Sequence, residues 1–92
     1  MAHDVYGAPQ FAASQNALSV TAEVILTARP QRISAIVRNI DNSITVYLGA
    51  EGVDSTGFPL PAGASVTLTT TASVYAVAAS GTPTVAIWEE YS

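Results

Sequence analysis

Residues 74–91 read VYAVAASGTPTVAIWEEY, and this stretch decides the fold class. Apolar side chains alternate with their neighbours in two runs, as Val85 and Ile87 do in the second. Alternation with a period of two is the pattern of a half-buried β-strand. Ser80-Gly81, between the runs, is a turn dipeptide. The stretch therefore predicts two strands separated by a turn.

The same alternation recurs further upstream. The runs are residues 18–26, 31–40, 43–48 and 66–71. Proline removes a backbone donor, so Arg29-Pro30 is expected to end the first of these strands. Asp41-Asn42 favours a tight turn, because short polar side chains bond to their own backbone. That turn predicts a hairpin between the second and third of these strands.

The run at residues 31–40 is apolar on both of its faces. Ile33, Ala35 and Val37 share one face, and Ile36 and Ile40 share the other. We expect such a strand to be covered on both sides, by the second sheet and by another surface.

The segment at residues 49–63 is rich in glycine and proline. A phosphate-binding loop of the Walker type needs a lysine and a following helix, and this sequence contains no lysine. Glycines supply positive-φ turns and prolines stiffen the backbone, so the segment is interpreted as an ordered connection. Phe58 and Leu60 are expected to anchor it to the end of the sandwich.

Together these signals predict an all-β protein. The predicted fold is a small antiparallel β-sandwich, of jelly-roll or Greek-key type, with about six to eight strands. A chain of 92 residues makes one small domain. Residues 1–16 show no strand or helix period and are expected to form an extended N-terminal arm. The single sandwich domain is expected to occupy residues 17–92.

The composition is rich in apolar residues and poor in charge. Hydrophobic residues make up 49% of the chain and charged residues 11%, with a formal net charge of −4. Nucleic acids and anionic membranes attract cationic proteins, so neither is expected as a partner. A charge-poor surface on a small domain predicts contact with other protein surfaces, and therefore assembly.

Targeting and thiol chemistry leave no signal in the sequence. The N-terminal residues lack the basic and apolar regions of a secretory signal, and no apolar run approaches the ~20 residues of a membrane span. The protein is therefore expected to be made and used without export. Cysteine is absent, which excludes disulfides and thiol catalysis.

No combination of residues predicts catalysis. The one histidine, His3, lies in the predicted arm, so a Ser-His-Asp arrangement is not expected. Glu89 and Glu90 are adjacent in a strand and point to opposite faces, so they cannot act on one sugar as a glycosidase pair. Glu51 and Asp54 are interpreted as solvated loop carboxylates. We predict no enzymatic activity, metal, cofactor or small-molecule substrate.

Aromatic side chains are the best candidates for contact with a partner, because they bury a large apolar area. The candidates are Tyr6, Phe11, Tyr47, Phe58, Tyr75 and Trp88. Tyr6 and Phe11, in the predicted arm, are expected to fill pockets on a neighbour. Aromatic rings on a β-sandwich also stack on sugars, so glycan binding is the alternative.

A succession of motifs runs through residues 29–91. They are Arg-x-x-x-x-x-Arg-Asn at 32–39, Val-Tyr-Leu-Gly at 46–49, Gly-Phe-Pro-Leu-x-x-Gly at 57–63, Val-Tyr-Ala-Val-Ala-Ala-Ser-Gly at 74–81 and an aromatic-acidic C-terminus. This succession resembles a small β-sandwich module of tailed-phage virion proteins. The resemblance implies a structural role without catalysis and brings no site residues with it. Modules of this kind occur in capsid decoration proteins and in tail, fibre or adaptor proteins.

The module makes up nearly the whole chain, so the resemblance favours a capsid decoration (cement) protein on the outer surface of the virion. Such a protein is expected to bind the major capsid protein, to bridge its subunits and to form a homotrimer. Synthesis is expected in the cytoplasm of the host bacterium. The alternative is a tail- or fibre-associated module that binds a host-surface glycan or joins tail components.

Overall fold

The computed structural model describes residues 10–92, so Tyr6 and the rest of residues 1–9 lie outside the described part of the chain. Over residues 10–92 the chain forms eight strands and no helix, which confirms the predicted all-β class. The strands are β1 (Gln10–Ala17), β2 (Glu23–Leu26), β3 (Arg32–Asn39), β4 (Val46–Gly49), β5 (Phe58–Leu60), β6 (Ser65–Leu68), β7 (Val74–Ala78) and β8 (Thr84–Tyr91).

The strands form an antiparallel β-sandwich, as predicted. The described residues make two four-stranded sheets, with strand orders β1-β8-β3-β6 and β2-β7-β4-β5. Every pairing between these strands is antiparallel. From β1 to β8, only the β4–β5 connection joins neighbours in one sheet, and every other connection crosses to the opposite sheet. Each sheet is therefore assembled from strands that are distant in sequence.

The inward-facing side chains of both sheets form a hydrophobic core. Val37 of β3, Val46 of β4 and Val85 of β8 are each 0% exposed. Full burial of a large aliphatic side chain contributes about 1.5–3 kcal/mol relative to exposure. The alternation predicted for β8 is confirmed, because Val85 and Ile87 are buried whereas Trp88 is exposed on the outer face.

A bulge in β3 changes the face of Ile33. The pairing register with β8 shifts between Arg32 and Ser34, so that Arg32 and Ala35 are both buried. Ile33 is 48% exposed instead of sharing the inner face with Ala35 and Val37, so that part of the prediction is wrong. An extra residue in one strand of a pair shifts the alternation, and a simple period of two does not reveal it.

The hairpin predicted at Asp41-Asn42 does not form, although the turn itself does. The Asp41 carboxylate accepts hydrogen bonds from the backbone N–H groups of Ser43 (2.9 Å) and Ile44 (2.7 Å). β3 lies between β8 and β6, so both of its edges are occupied and β4 pairs in the other sheet. The turn therefore carries the chain from one sheet to the other.

Residues 10–16, assigned from the sequence to an arm outside the sandwich, are extended but form most of β1. This strand pairs with β8 over its full length, from Gln10 opposite Tyr91 to Ala17 opposite Thr84. Its side chains are almost all exposed, so backbone hydrogen bonds rather than a buried apolar face hold most of it in place. For the same reason β1 lacks the apolar period that reveals most of the other strands.

The segment at residues 49–63 contains a short strand that was not predicted. Phe58–Leu60 forms β5 and pairs with β4. Leu60 is buried and anchors the segment as expected, whereas Phe58 is 55% exposed. The positive-φ glycines of the segment are Gly52 and Gly63, both with φ of 80°.

A buried charge ties loops to one end of β3. The Arg32 guanidinium donates from Nε to Glu89 Oε2 at 2.8 Å. Its other nitrogens donate to the backbone carbonyls of Thr27, Thr70 and Ala72. A buried charge destabilises a fold unless it is paired and hydrogen-bonded, and here both conditions are met. Arg32 therefore fixes the β2–β3 and β6–β7 loops against the end of β8.

At the other end of β3, the neutral side chain of Asn39 ties loop segments to the strand. Asn39 Nδ2 donates to the carbonyls of Ile44 (2.7 Å) and Leu60 (2.9 Å), and Oδ1 accepts from the N–H of Asp41 (3.0 Å). Asn39 is 0% exposed. Asn39 of β3 thus bonds to Ile44, which precedes β4 in the sequence, and to Leu60 of β5, which pairs with β4. These hydrogen bonds fix the two sheets relative to each other.

Candidate interaction surface

An apolar surface lies on the outer face of β1, β8 and β3. The pairing register places Ala13 of β1, Trp88 of β8 and Ile36 of β3 in one row across the sheet. Phe11 stacks beside this row. Phe11 is 62% exposed, Ile36 43% and Trp88 42%. These four residues are termed the Trp88 face.

Two contacts hold the Trp88 indole in place. Phe11 stacks on it with ring centroids 4.7 Å apart and an interplanar angle of 11°. The indole Nε1 donates a hydrogen bond to Glu90 Oε2 at 3.0 Å. A stacked aromatic pair contributes about 0.5–1.5 kcal/mol beyond the burial of its area. The indole ring is therefore held in one orientation. Its Nε1–H is already hydrogen-bonded, so the ring presents a flat apolar surface.

A shallow groove of about 450 Å³ lies beside this ring. Its walls include Ser14, Gln15, Ile36, Arg38 and Trp88. Tryptophan and arginine are enriched among the residues that contribute most to protein–protein binding. The groove thus combines an aromatic surface, a cation and neutral hydrogen-bonding groups, which suits the surface of another protein or the face of a sugar ring.

Tyr47 and Tyr75 lie on the opposite side of the sandwich. Tyr47 of β4 is paired with Val77 of β7, and Tyr75 shares the same face of β7. Both tyrosines are half-buried. The structure therefore does not bring these two predicted contact residues together with Phe11 or Trp88.

Phe58 lies in a third place. It lines an apolar opening of about 310 Å³ that also reaches β6. The strands β5 and β6 are edge strands of the two different sheets. Leu48, Val66, Leu68 and Val74 form the inner walls of the opening. The aromatic residues predicted to contact a partner are thus divided, within residues 10–92, among three separate surfaces.

The two neighbouring glutamates of β8 have different partners. Glu89 points inward and pairs with Arg32, whereas Glu90 points outward and accepts from Trp88. This confirms that they lie on opposite faces and do not converge on one site. Within residues 10–92, no group of three His, Cys, Asp or Glu side chains is placed to hold a metal ion. In the same range, no helix is long and apolar enough to cross a membrane.

Two loop aspartates organise turns. The N–H groups of Ser43 and Ile44 donate to the Asp41 carboxylate and lower its pKa. The Thr56 hydroxyl and N–H donate to Asp54 Oδ1 and lower the pKa of that carboxyl in the same way. Hydrogen bonds to a carboxylate favour its charged form. These acids therefore stabilise local turns.

The sequence pointed to Phe11, Ile36 and Trp88, three members of the Trp88 face, but not to Ala13. Alternation in β8 placed Trp88 opposite the core residues, and Ile36 was assigned to the second face of its strand. The stacking of Phe11 on Trp88 depends on the β1–β8 register, which joins residues 77 positions apart and leaves no local signal. Arg38 and Gln15 join the groove for the same reason.

Comparison with known proteins adds no assignment. No family model matches the chain, and no curated protein matches it.

Proposed function

We propose that this chain is a structural protein of a tailed-phage virion, without enzymatic activity, that decorates the capsid. In this role it binds the major capsid protein on the outer surface of the head and bridges neighbouring subunits. The resemblance of residues 29–91 to virion β-sandwich modules supports the proposal. The Trp88 face also supports it, because that face exposes two aromatic rings on a chain with few charges.

The observation that carries the proposal is the fixed and exposed stack of Phe11 and Trp88. Apolar residues scattered singly on a surface need no explanation, but an ordered aromatic pair beside an exposed aliphatic residue is typical of a contact surface. Burial of apolar area contributes about 25 cal/mol per Å². Contacts made by one oligomer are linked, so several modest contacts together bind a capsid more tightly than any one of them alone.

The proposed decorating unit is a homotrimer, made in the cytoplasm of the host bacterium before it joins the head. The tyrosine-bearing surface around Tyr47 and Tyr75 and the opening at Phe58 are available for contacts between copies. Copies that each carry a net charge of −4 repel one another, which favours apolar contacts of this kind. Neither nucleic acid nor a membrane belongs to the proposed role.

A capsid sedimentation assay tests the proposal. Phage heads that lack this chain are mixed with the purified protein and pelleted, and the bound chain is measured. We expect saturable binding by the wild type and about tenfold weaker binding by Trp88→Ala, because that change removes the aromatic ring. Ile40→Ala truncates an exposed apolar residue outside the Trp88 face and is the matched control. It is expected to bind as the wild type does.

Two results of this assay contradict the proposal. One is failure of the wild-type protein to bind heads at any concentration. The other is undiminished binding by Trp88→Ala. Circular dichroism and thermal unfolding of both variants establish that a loss of binding does not come from a loss of fold.

A second candidate function is a tail- or fibre-associated module that binds a host-surface glycan or joins tail components. The groove beside Trp88 favours it, because Arg38 and Gln15 provide donors for sugar hydroxyls next to an aromatic ring. Saturable binding of a glycan at millimolar concentration, abolished by Trp88→Ala, supports this function. A glycan screen without saturable binding counts against it.

A further inference from the structure

Of the strands at sheet edges in the described chain, three are protected against pairing with another strand. β2 has four residues, carries Glu23 and has a register shift after Val24. β5 is three residues long with Pro59 at its centre, and β6 is four residues long. Charge, proline, irregular register and short length are the means by which edge strands avoid association with other chains.

The remaining edge strand, β1, has none of these features. It is eight residues long, QFAASQNA, without charge or proline. Its pairing with β8 is unbroken from end to end. All its side chains are exposed except that of Asn16, which is half-buried, so both faces of the strand are open. Ordering such a strand costs conformational entropy that its few side-chain contacts offset only in part.

The free edge of β1 presents a defined set of backbone groups. Just beyond the strand, the N–H of Leu18 donates to the carbonyl of Pro83 at 2.8 Å, so these residues form a hydrogen-bonded pair in the β1–β8 register. Hydrogen-bonded and non-bonded pairs alternate along antiparallel strands. The even-numbered residues of β1 therefore bond to β8, and the odd-numbered ones direct their N–H and C=O groups to the free edge. Those residues are Phe11, Ala13, Gln15 and Ala17.

We propose that β1 pairs edge to edge with β1 of a second copy of this chain, antiparallel about a two-fold axis. The two four-stranded sheets then join into one continuous sheet across both copies. An axis beside Ala13 or Ser14, in the middle of the strand, keeps most of β1 paired. The side chains that come opposite each other are neutral, so no like charges meet.

Two features favour a second copy as the occupant of this edge. The chain has a net charge of −4, yet β1 carries no charged residue, so no like charges meet between the two paired strands. Ala12, Ala13 and Ser14 are small and leave room for two strands to meet at the axis. The pairing also places the two Trp88 faces on the same side of the joined sheet. It uses one edge of each copy and leaves the surfaces proposed for trimer contacts free.

Single cysteines test the pairing, since the chain has none of its own. Opposed Cα atoms in antiparallel strands are about 4.5–5.5 Å apart, a distance that a disulfide spans. In the purified full-length protein under mild oxidation, we expect Ala13→Cys or Ser14→Cys to form a disulfide-linked dimer. Thr67→Cys, exposed on edge strand β6 of the same sheet, is the matched control. Its crosslinking is expected to be at least about tenfold slower, because only the paired thiols have a high effective concentration.

Native mass spectrometry of Ala13→Lys provides the second measurement. Lysine on an edge strand blocks pairing, and the two lysines lie at the axis or next to it. Because the Ala13 side chain is exposed and its N–H points away from β8, the fold is retained, which circular dichroism checks. We expect paired species, either dimers or pairs of trimers, in the wild type and in the control Thr67→Lys, and loss of these paired species in Ala13→Lys.

Crosslinking at residues 13 and 14 no faster than at residue 67 overturns the pairing. So does a wild-type mass distribution that contains only monomers or trimers, or one that Ala13→Lys leaves unchanged. Neither measurement uses phage heads. The pairing and the proposed function therefore fail or succeed separately.

Discussion

At the scale of single residues, Arg32 connects parts of the chain that are far apart in sequence. Its guanidinium pairs with Glu89, whose other carboxylate oxygen lies 3.5 Å from Arg29. The Arg29 guanidinium in turn lies over the Tyr91 ring, 3.7 Å from its centroid. Glu89 thus balances two cations at the end of β8. Removing Arg32 leaves an inward-facing carboxylate with one distant partner and leaves three loop carbonyls without their donor.

The first prediction concerns this ion pair. We expect Arg32→Met to lower the free energy of unfolding by about 3–5 kcal/mol, because breaking a buried pair leaves Glu89 with only its longer contact to Arg29 and leaves three carbonyls without a donor. Urea denaturation measures the change. Arg38→Met, on the exposed face of the same strand, is the matched control and is expected to change stability by less than about 0.5 kcal/mol. Equal effects of the two substitutions contradict this role of Arg32.

The second prediction concerns the turn at Asp41. Its pKa in the folded state lies below the ordinary value of 3.8, because backbone N–H groups of Ser43 and Ile44 donate to the carboxylate. A lowered folded pKa stabilises the fold above the unfolded pKa, and this stabilisation is lost as the pH falls through the folded pKa. We therefore expect wild-type Tm to exceed that of Asp41→Asn near neutral pH and the difference to shrink below about pH 4.

Thermal unfolding followed from neutral pH to about pH 2 measures that difference. Glu51→Gln, a substitution at another exposed loop acid, is the control for the general effect of removing one negative charge. A Tm difference for Asp41→Asn that stays constant throughout the range contradicts the prediction.

Trp88 and Ile33 show how far the sequence predicts the face on which a side chain lies. Trp88 was predictable, because alternation in β8 places it opposite Val85 and Ile87. Ile33 was assigned to the wrong face, because the bulge after Arg32 changes the phase of β3 without any change in composition. Periodicity thus predicts direction only where the strand is regular.

At the scale of elements, β1 differs from every other strand in the described chain. Its side chains form almost no part of the core, and the stack of Phe11 on Trp88 is its one aromatic contact among residues 10–92. Backbone hydrogen bonds contribute about 0.5–1.5 kcal/mol each, whereas ordering each residue costs about 1–2 kcal/mol. β1 is therefore expected to open more readily than β3 and β8.

The third prediction follows from this balance. We expect Phe11→Ala to raise amide hydrogen exchange in β1 by about threefold to tenfold, because a stacked pair contributes roughly 0.5–1.5 kcal/mol. Exchange at Val37 and Val46, in the core strands, is expected to stay unchanged. Ile36→Ala, on the same face but outside the stack, serves as the control. Equal exchange in β1 for both variants contradicts the anchoring role of the stack.

The sequence did not reveal β1 and β5, for two different reasons. β1 carries no apolar period because both of its faces are exposed. β5 is three residues long and contains Pro59, and a short segment with a proline indicates a loop. The Asp41-Asn42 turn was recognised from its residue types. The strands that pair with β3 were not recognised, because they are β8, at the end of the chain, and β6, which follows the segment at residues 49–63. Local patterns identify elements, and pairing depends on contacts distant in sequence.

At the scale of the whole molecule, the described chain is a small sandwich with candidate contact surfaces on several sides. The Trp88 face lies on the outer side of one sheet, and the tyrosine-bearing surface lies on the outer side of the other. The edge of β1 lies beside the Trp88 face. That arrangement suits the proposed role, in which each copy contacts capsid subunits and further copies of itself.

Immunogold electron microscopy of phage particles from the source lysate, with an antibody against this chain, tests the proposed position on the capsid. Particles treated with pre-immune serum are the control for non-specific label. We expect gold particles distributed over the head, as for a decoration protein on the outer capsid surface. Label confined to the tail or its tip, or no label on intact particles, contradicts this position.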